Sequence, residues 1–181
     1  MWVWIFFILV GSLFCIKMAY VLCTAMVLPT TQGALFVSTS KVRINAVFEA
    51  IPMKAGQVLV DLGCGDGRVL RCAQKSYRIK GIGYEVNLMA YLKARSLSFL
   101  SSDVEIKRQD FWSVDLSGAD VVFCYLYPDV MKKLAAKLKA NLKPGATIVS
   151  CNFRIPGFTS SRVLHPAGSL HGDPVYIYQM E

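Results

Sequence analysis

The sequence predicts an α/β protein in which a mostly parallel, seven-stranded sheet of the Rossmann-like kind follows an amino-terminal transmembrane helix. Two observations carry this prediction. Short apolar segments alternate with amphipathic segments of about ten to fifteen residues, which is typical of parallel strands joined by helices. The first 30 of the 181 residues contain a single charged side chain, which is typical of a membrane span.

The amino-terminal segment is long enough to cross a bilayer, because a span needs about 20 apolar residues and residues 2–28 are nearly all apolar. Lys17 is the only charged residue before Lys41, and its insertion cost of about 3 kcal/mol is smaller than the summed gain of the surrounding aliphatic and aromatic side chains. Trp2 and Trp4 are placed to mark the outer interface. A helix buried in a soluble core is the alternative, whereas a cleaved signal peptide would need basic residues before the apolar stretch.

Residues 1–30 are therefore predicted to form a single-pass membrane anchor, and residues 31–181 to form the folded domain. Lys41, Arg43 and Lys54 follow the span, whereas no charged side chain precedes it. The positive-inside rule then predicts that the folded domain lies on the cytoplasmic side of the membrane.

Composition narrows the class of protein further. Hydrophobic residues make up 54% and charged residues 18% of the chain, against about 25% charged in an ordinary soluble domain, and the excess of apolar residues lies in the first 30. The chain has no low-complexity tract, fixed-period repeat or sustained heptad, which excludes disordered, collagen-like and coiled-coil proteins. The six cysteines include no C-x-x-C pair, and the separation and surroundings of His165 and His171 suit no metal site, so neither a metal site nor a disulfide framework is predicted.

The elements of the folded domain follow from periodicity, caps and turn residues. After a linker over residues 29–33, Ser38 or Ser40 is expected to cap a helix that ends before Pro52, and Asp129 is expected to cap the last helix. The apolar stripe of the first of these helices is expected to carry Val42, Ala46, Val47 and Ala50. The predicted strands are 57–62, 79–85, 104–107, 119–125 and 146–152, the other predicted helices are 68–76, 88–99 and 129–142, and residues 162–165 and 175–179 are expected to form a closing antiparallel pair.

A glycine-rich turn follows the first predicted strand, in the sequence Val58-Leu-Val-Asp61-Leu-Gly63-Cys-Gly65-Asp-Gly67. Glycines let the backbone turn tightly and approach a ligand closely. Their G-x-G-x-G spacing differs from the G-x-G-x-x-G of dinucleotide sites, and the two carboxylates of Asp61 and Asp66 are poor neighbours for a phosphate. An adenosine ligand that carries a sulfonium and an amino group fits this charge pattern better than NAD does.

Glu85 ends the second predicted strand, 24 residues after Asp61. A carboxylate at this place accepts hydrogen bonds from ribose hydroxyls in nucleotide-binding sheets. A solvated or helix-capping acid is the alternative interpretation of Glu85 alone. Together with the glycine-rich turn at this spacing, it indicates an adenosyl-binding site at the carboxyl ends of the strands.

These features resemble the class I S-adenosylmethionine-dependent methyltransferases, and the similarity is close over residues 57–110. The resemblance implies the Rossmann-like fold of that class and S-adenosyl-L-methionine as the cofactor. It also implies a role for particular residues: the loop of Asp61, Gly63, Cys64, Gly65 and Gly67 would lie under the methionine end of the cofactor, Glu85 would hold the ribose, Asp110 would contact the adenine amino group, and Phe111 would lie beside the adenine ring.

A narrower resemblance covers most of residues 36–158, through the segments 36–41, 110–112, 125–128 and 151–153. These segments are similar to the membrane-anchored lysine methyltransferases that include the ATP synthase c subunit lysine N-methyltransferase and its bacterial relatives. That resemblance implies a lysine of a membrane protein as the acceptor. Cys64 replaces a common serine, with little expected effect on cofactor binding, and Asn152 stands where a basic or acidic residue is often found, which leaves the acceptor open.

Tyr125 and Tyr127 follow the fourth predicted strand, where this fold brings the acceptor to the methyl group. They are the candidate catalytic residues, because a lysine with an ordinary pKa of about 10.4 must lose its proton and a phenol or carbonyl can then steer the amine. The two tyrosines alternate along the chain, so only one is expected to face the pocket. Packing of both as core aromatics is the alternative.

The sequence thus predicts a membrane-anchored protein-lysine methyltransferase whose partners are a membrane-protein acceptor and the lipid bilayer. Methylation of a lipid or small hydrophobic molecule, methylation of RNA, and a non-catalytic, cofactor-binding membrane scaffold are the alternatives. A lysine-rich face of the last helix is expected to be solvated and secondarily attracted to anionic lipid rather than to nucleic acid. Its members are Lys132, Lys133, Lys137, Lys139 and Lys143.

Overall fold

A computed structural model describes residues 2–27, 38–166 and 173–181. The linker predicted over residues 29–33 and the loop position of His171 lie outside the described residues. The helices are α1 (Trp2–Val27), α2 (Lys41–Ala50), α3 (Arg68–Tyr77), α4 (Leu88–Leu97) and α5 (Met131–Asn141). The strands are β1 (Val58–Leu62), β2 (Lys80–Tyr84), β3 (Val104–Lys107), β4 (Val121–Cys124), β5 (Thr147–Cys151), β6 (Arg162–Leu164) and β7 (Val175–Gln179).

The strands form one sheet in the order β3-β2-β1-β4-β5-β7-β6. The first five strands are parallel to one another, β7 is antiparallel to β5, and β6 is antiparallel to β7. The seven-stranded, mostly parallel sheet and its closing antiparallel pair are therefore as the sequence predicts. The strand order reverses between β1 and β4, and ligands of such sheets bind at the carboxyl ends of the strands beside this point.

Both faces of the sheet are covered, which explains the nearly continuous apolar runs in its central strands. On one face, α2 and α3 pack against β1, β4 and β5 through residues such as Ile44, Leu70 and Phe123. On the other face, α5 and the segment after β3 pack through residues such as Leu116 and Leu134. The two cores hold the carboxyl ends of β1, β2, β4 and β5 in fixed positions, and these ends border the candidate site.

The apolar helix α1 stands apart from these cores. Trp2–Leu22 is long and apolar enough to cross a membrane, and none of its most apolar stretch is buried in the domain. This exposure contradicts the alternative of a helix buried in the core of the folded domain. The helix touches the rest of the structure at α4.

The buried face of α2 is rotated relative to the prediction. Ser40 caps the helix by accepting a hydrogen bond from the backbone N–H of Arg43, as expected, but Val42 is exposed and the Arg43 side chain is buried. The guanidinium of Arg43 donates to Asp173 at 2.9 Å and lies over the ring of Tyr125. The buried face of α2 therefore includes a charged residue, which apolar periodicity alone would leave on the solvent side.

Asp129 does not cap α5, which corrects the prediction made from its position. It lies inside a 3-10 turn formed by Pro128–Val130, and Val130 precedes α5 without a side-chain cap. Because Pro128 has its φ fixed near the helical value, helical geometry begins one residue before Asp129 and leaves that carboxylate inside the turn.

The lysines of α5 are only partly a solvated face. The Nζ of Lys137 donates to the backbone carbonyls of Trp112 and Val114 at 3.2 and 2.6 Å. Lys143, which follows the helix, forms an ion pair with Asp120 at 2.6 Å. These two lysines hold neighbouring segments of the domain together, so fewer of the five are available to a lipid surface than the sequence suggests.

Candidate active site

The glycine-rich turn joins the carboxyl end of β1 to the first turn of α3. Gly63, Gly65 and Gly67 all adopt positive φ angles of 77°, 55° and 72°, which side chains with a Cβ rarely tolerate. The backbone N–H groups of Gly63 and Cys64 both donate to the carbonyl of Tyr84 at 3.0 Å. This pairing fixes the turn against the end of β2.

The Cys64 side chain faces the protein interior. A Cβ placed on Gly83 of β2 would lie 2.7 Å from the Sγ of Cys64 and 2.8 Å from a methyl carbon of Leu70, so the thiol fills the space that the glycine leaves. Burial raises the pKa of the Cys64 thiol well above its ordinary value, which keeps the thiol protonated. The residue contributes its backbone to the turn, and its side chain packs beneath it.

Glu85 fastens the glycine-rich turn to the end of β2. Its Oε2 accepts from the backbone N–H of Gly65 at 2.9 Å, and its Oε1 accepts from the backbone N–H of Asn87 at 2.8 Å. Burial raises the pKa of Glu85, and the backbone hydrogen bonds oppose that rise. Each carboxylate oxygen has a second lone pair, so Glu85 retains the capacity to accept hydrogen bonds from a ligand.

Asp61 is a buried carboxylate that accepts no hydrogen bond from the residues that the structure describes. It is 3% exposed and lies at the carboxyl end of β1, beneath the glycine-rich turn. Burial, reinforced by the neighbouring charges of Glu85 and Asp66, raises the pKa of Asp61 to about 8. A buried acid without a partner is costly when ionised, and a cationic ligand group beside it would relieve that cost.

Asp66 already has its cation within the chain, which corrects the expectation that it faces a charged ligand. Its two carboxylate oxygens accept from Arg68 at 2.9 and 2.8 Å, and Lys93 lies at 3.6 Å. Although burial acts to raise it, the hydrogen bonds and charge of Arg68 hold the pKa of Asp66 below its ordinary value. Arg68 also donates to the carbonyl of Thr39, so this ion pair ties the segment before α2 to the turn.

Asp110 and Phe111 lie beyond β3, on the side of the site where the adenine was expected. The Asp110 carboxylate accepts from the backbone N–H of Trp112 at 3.0 Å and so begins a short 3-10 turn. The ring of Phe111 is half-buried and packs against Trp112 with 4.6 Å between ring centroids. One Asp110 oxygen is thus engaged in the turn, and the contact of this residue with adenine stays a prediction.

The structure separates the two candidate tyrosines. The hydroxyl of Tyr125 accepts a hydrogen bond from Nδ2 of Asn152 at 3.1 Å, and its ring lies 5.2 Å from the guanidinium carbon of Arg43. Tyr127 is 40% exposed at the start of the 3-10 turn. The alternation expected from sequence therefore directs one side chain inward, at Tyr125, and the other outward.

Three residues around Tyr125 have no signal in the sequence that would join them. Arg43 comes from α2, Asn152 follows β5, and Asp173 precedes β7, so the chain brings them together across as many as 130 residues. Asn152 attracts notice only as a departure from a family pattern, and Arg43 only as a flanking positive charge. Within the sequence, Arg43 is one of several polar residues of its helix and Asn152 stands directly after a predicted strand, and neither feature specifies the contact between them.

Comparisons with known proteins agree with this geometry. A sequence model of the ANTKMT methyltransferase domain matches residues 61–162, which include the glycine-rich turn, Glu85, Asp110 and Tyr125. A protein-lysine N-methyltransferase of Saccharolobus islandicus is 30% identical over 79% of this chain and 91% of its own length. The ATP synthase c subunit lysine N-methyltransferase of Rattus norvegicus is 29% identical over 80% of this chain and 66% of its own length.

A solved structure has the same architecture. The RNA methyltransferase from Salinibacter ruber, in complex with S-adenosyl-L-homocysteine, is 32% identical with a TM-score of 0.72, over 80% of this chain and 94% of that one. The class I methyltransferase fold and the family resemblance expected from the sequence are thereby confirmed.

Proposed function

Because the chain belongs to the ANTKMT methyltransferase family and is an S-adenosylmethionine-dependent methyltransferase, we propose that it transfers methyl groups to a lysine of a membrane protein. The names of its relatives support the lysine acceptor, since an archaeal relative is a protein-lysine N-methyltransferase and a rat relative is a lysine N-methyltransferase of the ATP synthase c subunit. The exposed apolar helix α1 supports a membrane setting.

The site fits the cofactor on two features of its own residues. Gly63, Gly65 and Gly67 have positive φ angles that a side chain would strain, so no Cβ stands between the turn and a ligand at these three positions. Asp61 supplies a buried carboxyl group that accepts no hydrogen bond from the described residues, and an adjacent cation would favour its ionised form, which suits the ammonium of a methionine moiety. We assign Asp61 and the backbone of Gly63, Cys64, Gly65 and Gly67 to that end, Glu85 to the ribose, and Asp110 with Phe111 to the adenine.

The residues of the chain have mainly to align the acceptor and exclude water. When the cofactor is bound it offers a methyl group on a sulfonium, so that the amine nitrogen forms a bond to carbon, the carbon–sulfur bond breaks with its electron pair on sulfur, and the amine gives a proton to solvent. Tyr125 is the tyrosine that we assign to the acceptor side, because its hydroxyl is held inward. Tyr127 is exposed and is the weaker of the two candidates.

The membrane arrangement is part of the same proposal. Residues 1–30 form a single-pass anchor and residues 31–181 form the catalytic domain on the cytoplasmic side, as the distribution of positive charge favours. Three apolar residues form an exposed tip at the carboxyl end of α4: Leu97, Phe99 and Leu100. The side chain of Phe99 is 86% exposed and that of Leu100 is 92% exposed. Since α1 contacts α4, this tip is suited to lie near the bilayer surface.

Methylation of RNA is the second candidate function. It is favoured by the similarity to the Salinibacter ruber RNA methyltransferase and by the net charge of +8, which suits a polyanion. The membrane helix favours the protein acceptor over RNA, because an anchored enzyme meets membrane proteins at high local concentration.

The two functions are separated by supplying both acceptors at once. The full chain, purified in detergent, is incubated with radiolabelled S-adenosylmethionine and a cell membrane fraction to which total RNA is added. We expect label in a small membrane protein, with a mass increase of about 14 Da per methyl on a lysine-containing peptide. The Glu85→Ala variant is the control with weakened cofactor binding, because loss of two carboxylate hydrogen bonds is expected to lower affinity by about 1 to 3 kcal/mol.

Each other destination of the label would overturn the proposal in a particular way. Label that survives protease and is lost on ribonuclease treatment would assign RNA as the acceptor. Label that is extracted into organic solvent without protein would assign a lipid. Cofactor binding without transfer to any of these fractions would support the scaffold alternative.

A further inference from the structure

Asn152 holds an unusual position directly after β5. It is a residue with a side chain at a positive φ of 67°, a conformation that Asn tolerates better than most residues but that still carries strain. Its backbone N–H donates to the carbonyl of Pro174 at 2.8 Å. The chain thus holds Asn152 in a fixed left-handed turn at the carboxyl edge of the sheet.

Only one of the two polar atoms of the Asn152 side-chain amide has a hydrogen-bond partner among the described residues. Its Nδ2 donates to the hydroxyl of Tyr125 at 3.1 Å, whereas its buried Oδ1 has no hydrogen-bond partner within the described residues. Buried acceptors are nearly always paired. This unpaired amide oxygen lies just after β5 at the carboxyl edge of the sheet and retains the capacity to accept a hydrogen bond from a donor brought beside it.

The location of this oxygen is the acceptor side of the site. Cys124 of β4 pairs in register with Ser150 of β5, and continuing this register by two residues along each chain sets Leu126 opposite Asn152. Leu126 in turn lies 3.4 Å from where a Cβ of Gly63 would be. Asn152 therefore follows β5, with β4 between it and the strand that carries the glycine-rich turn.

Arg43 makes the arrangement rigid. Its guanidinium lies 5.2 Å from the centre of the Tyr125 ring, and its charge is balanced by Asp173 at 2.9 Å. Tyr125 is therefore held by Arg43 against its ring and by Asn152 at its hydroxyl. These contacts restrain the position of the Asn152 side chain beside the Tyr125 hydroxyl.

We propose that the Asn152 Oδ1 atom accepts a hydrogen bond from an N–H of the acceptor amine, so that Asn152 and Tyr125 form an amine subsite. This inference rests on the proposed lysine acceptor. A neutral amide oxygen holds an amine by its N–H and leaves the nitrogen lone pair free for the methyl carbon. A carboxylate at the same position would instead stabilise the ammonium, which has no lone pair to react.

The electrostatics of this corner support a neutral subsite. The charged or titratable groups that the described structure brings here are Arg43, Tyr125, Cys124, Cys151 and Asp173, with Asp61 of β1 close enough to act on Cys151. Arg43 and Asp173 neutralise each other, and burial raises the pKa values of the Cys124 and Cys151 thiols, which keeps both uncharged. Asp61 has a pKa of about 8 because of burial and the neighbouring Glu85 and Asp66, so it is mostly protonated at neutral pH without a ligand.

The first test uses sinefungin, an adenosyl compound with a primary amine where the cofactor carries its transferable methyl group. Affinities for sinefungin and for S-adenosylhomocysteine are measured by calorimetry on the full chain in detergent, for wild type, Asn152→Gly and Asn152→Asp. Glycine suits the positive φ, so Asn152→Gly removes the amide while preserving the backbone. S-adenosylhomocysteine, which keeps the α-amino group but lacks the amine at the methyl position, is the internal control for an intact cofactor site.

We expect Asn152→Gly to weaken sinefungin about tenfold, which is the loss of one hydrogen bond to a charged group, and to leave S-adenosylhomocysteine unchanged. Asn152→Asp is expected to strengthen sinefungin, because the new carboxylate pairs with its ammonium. Equal effects on both ligands, or no effect on either, would overturn the amine subsite.

The second test is the pH profile of methyl transfer to the membrane fraction. Asn152→Asp is expected to move the rising limb of the profile to higher pH by about one unit, because a nearby carboxylate favours the ammonium form of the acceptor. A purely structural role for Asn152 would lower the rate without moving that limb. If the label enters RNA instead of protein, the lysine acceptor fails, while the sinefungin comparison still decides whether Asn152 binds an amine.

Discussion

The two halves of the site are built in different ways. The cofactor half, formed by Asp61, the glycine-rich turn and Glu85, is held by backbone geometry and by hydrogen bonds between neighbouring strands. The acceptor half, formed by Arg43, Tyr125, Asn152 and Asp173, is held by side chains that come from distant segments. In the proposed function the first half binds the cofactor and the second half binds the acceptor. Because the side chains of the second half come from other segments than the turn, we expect substitutions there to leave the turn intact.

This difference has an energetic counterpart. In the cofactor half two carboxylates, Asp61 and Glu85, are buried close together and both have raised pKa values because of burial. In the acceptor half the charges of Arg43 and Asp173 cancel in an ion pair. Ionisation of the carboxyl groups in the cofactor half is therefore unfavourable until a cationic ligand binds beside them. The charges of the acceptor half already neutralise each other within the chain.

Gly83→Ala should have the largest effect, because it breaks the cofactor half through packing alone. The new Cβ would lie 2.7 Å from the Sγ of Cys64 and 2.9 Å from its Cβ. Cys64 cannot easily move away, because its backbone N–H donates to the carbonyl of Tyr84. We expect the free energy of unfolding to fall by about 3 kcal/mol, measured by denaturant titration. Gly118→Ala is the matched control, since a Cβ there meets nothing within 4 Å, and equal stability of the two variants would contradict this packing.

Glu85→Gln should weaken the cofactor without a large loss of stability. The amide keeps one acceptor for the N–H groups of Gly65 and Asn87 but turns an N–H toward the other, so one hydrogen bond is lost together with the negative charge. We expect affinity for S-adenosylhomocysteine to fall tenfold to a hundredfold, or about 1.5 to 3 kcal/mol, by calorimetry. Glu105→Gln on β3, an exposed acid paired with Lys107, should bind as wild type, and a matching loss there would indicate a nonspecific charge effect.

The same difference explains what the sequence can predict. The sheet, the turn and Glu85 follow from local patterns, because glycine spacing and apolar periodicity act within a few residues of each other. The pairing of Arg68 with Asp66 and of Arg43 with Asp173 does not, because a long charged side chain reaches a partner that periodicity does not specify. The rotated face of α2 and the occupied carboxylate of Asp66 are both consequences of such pairs.

Asp61→Asn should sharpen the comparison through the pH dependence of stability. The pKa of Asp61 is about 8 in the folded chain against an ordinary 3.8, so between about pH 4 and pH 8 the unfolded chain releases a proton that the folded chain keeps. The free energy of unfolding of the wild type therefore falls as pH rises through this window. We expect the variant to lose about 2 kcal/mol less than wild type between about pH 5.5 and pH 8, in denaturant titrations without ligand.

The affinity for S-adenosylhomocysteine should depend on pH in the direction opposite to that of stability. Its ammonium favours the ionised form of Asp61, so wild-type affinity should rise from about pH 6 to pH 8, and the Asp61→Asn variant should be weaker with a flatter dependence. A variant that binds as tightly as wild type at the upper end of this range would remove Asp61 from the cofactor half.

The smallest expected effect distinguishes the two tyrosines of the acceptor half. Tyr125→Phe removes the hydroxyl that accepts from Asn152 but keeps the ring against Arg43, so the amide of Asn152 loses one of its two restraints. We expect kcat to fall about fivefold, near 1 kcal/mol, with unchanged affinity for S-adenosylhomocysteine. Tyr127→Phe, at an exposed ring, should change kcat less than about twofold. The two variants are matched, because each removes one tyrosine hydroxyl and the two positions are two residues apart. A larger fall of kcat in Tyr127→Phe than in Tyr125→Phe would place the acceptor on the outer side of the loop and move the catalytic role to Tyr127.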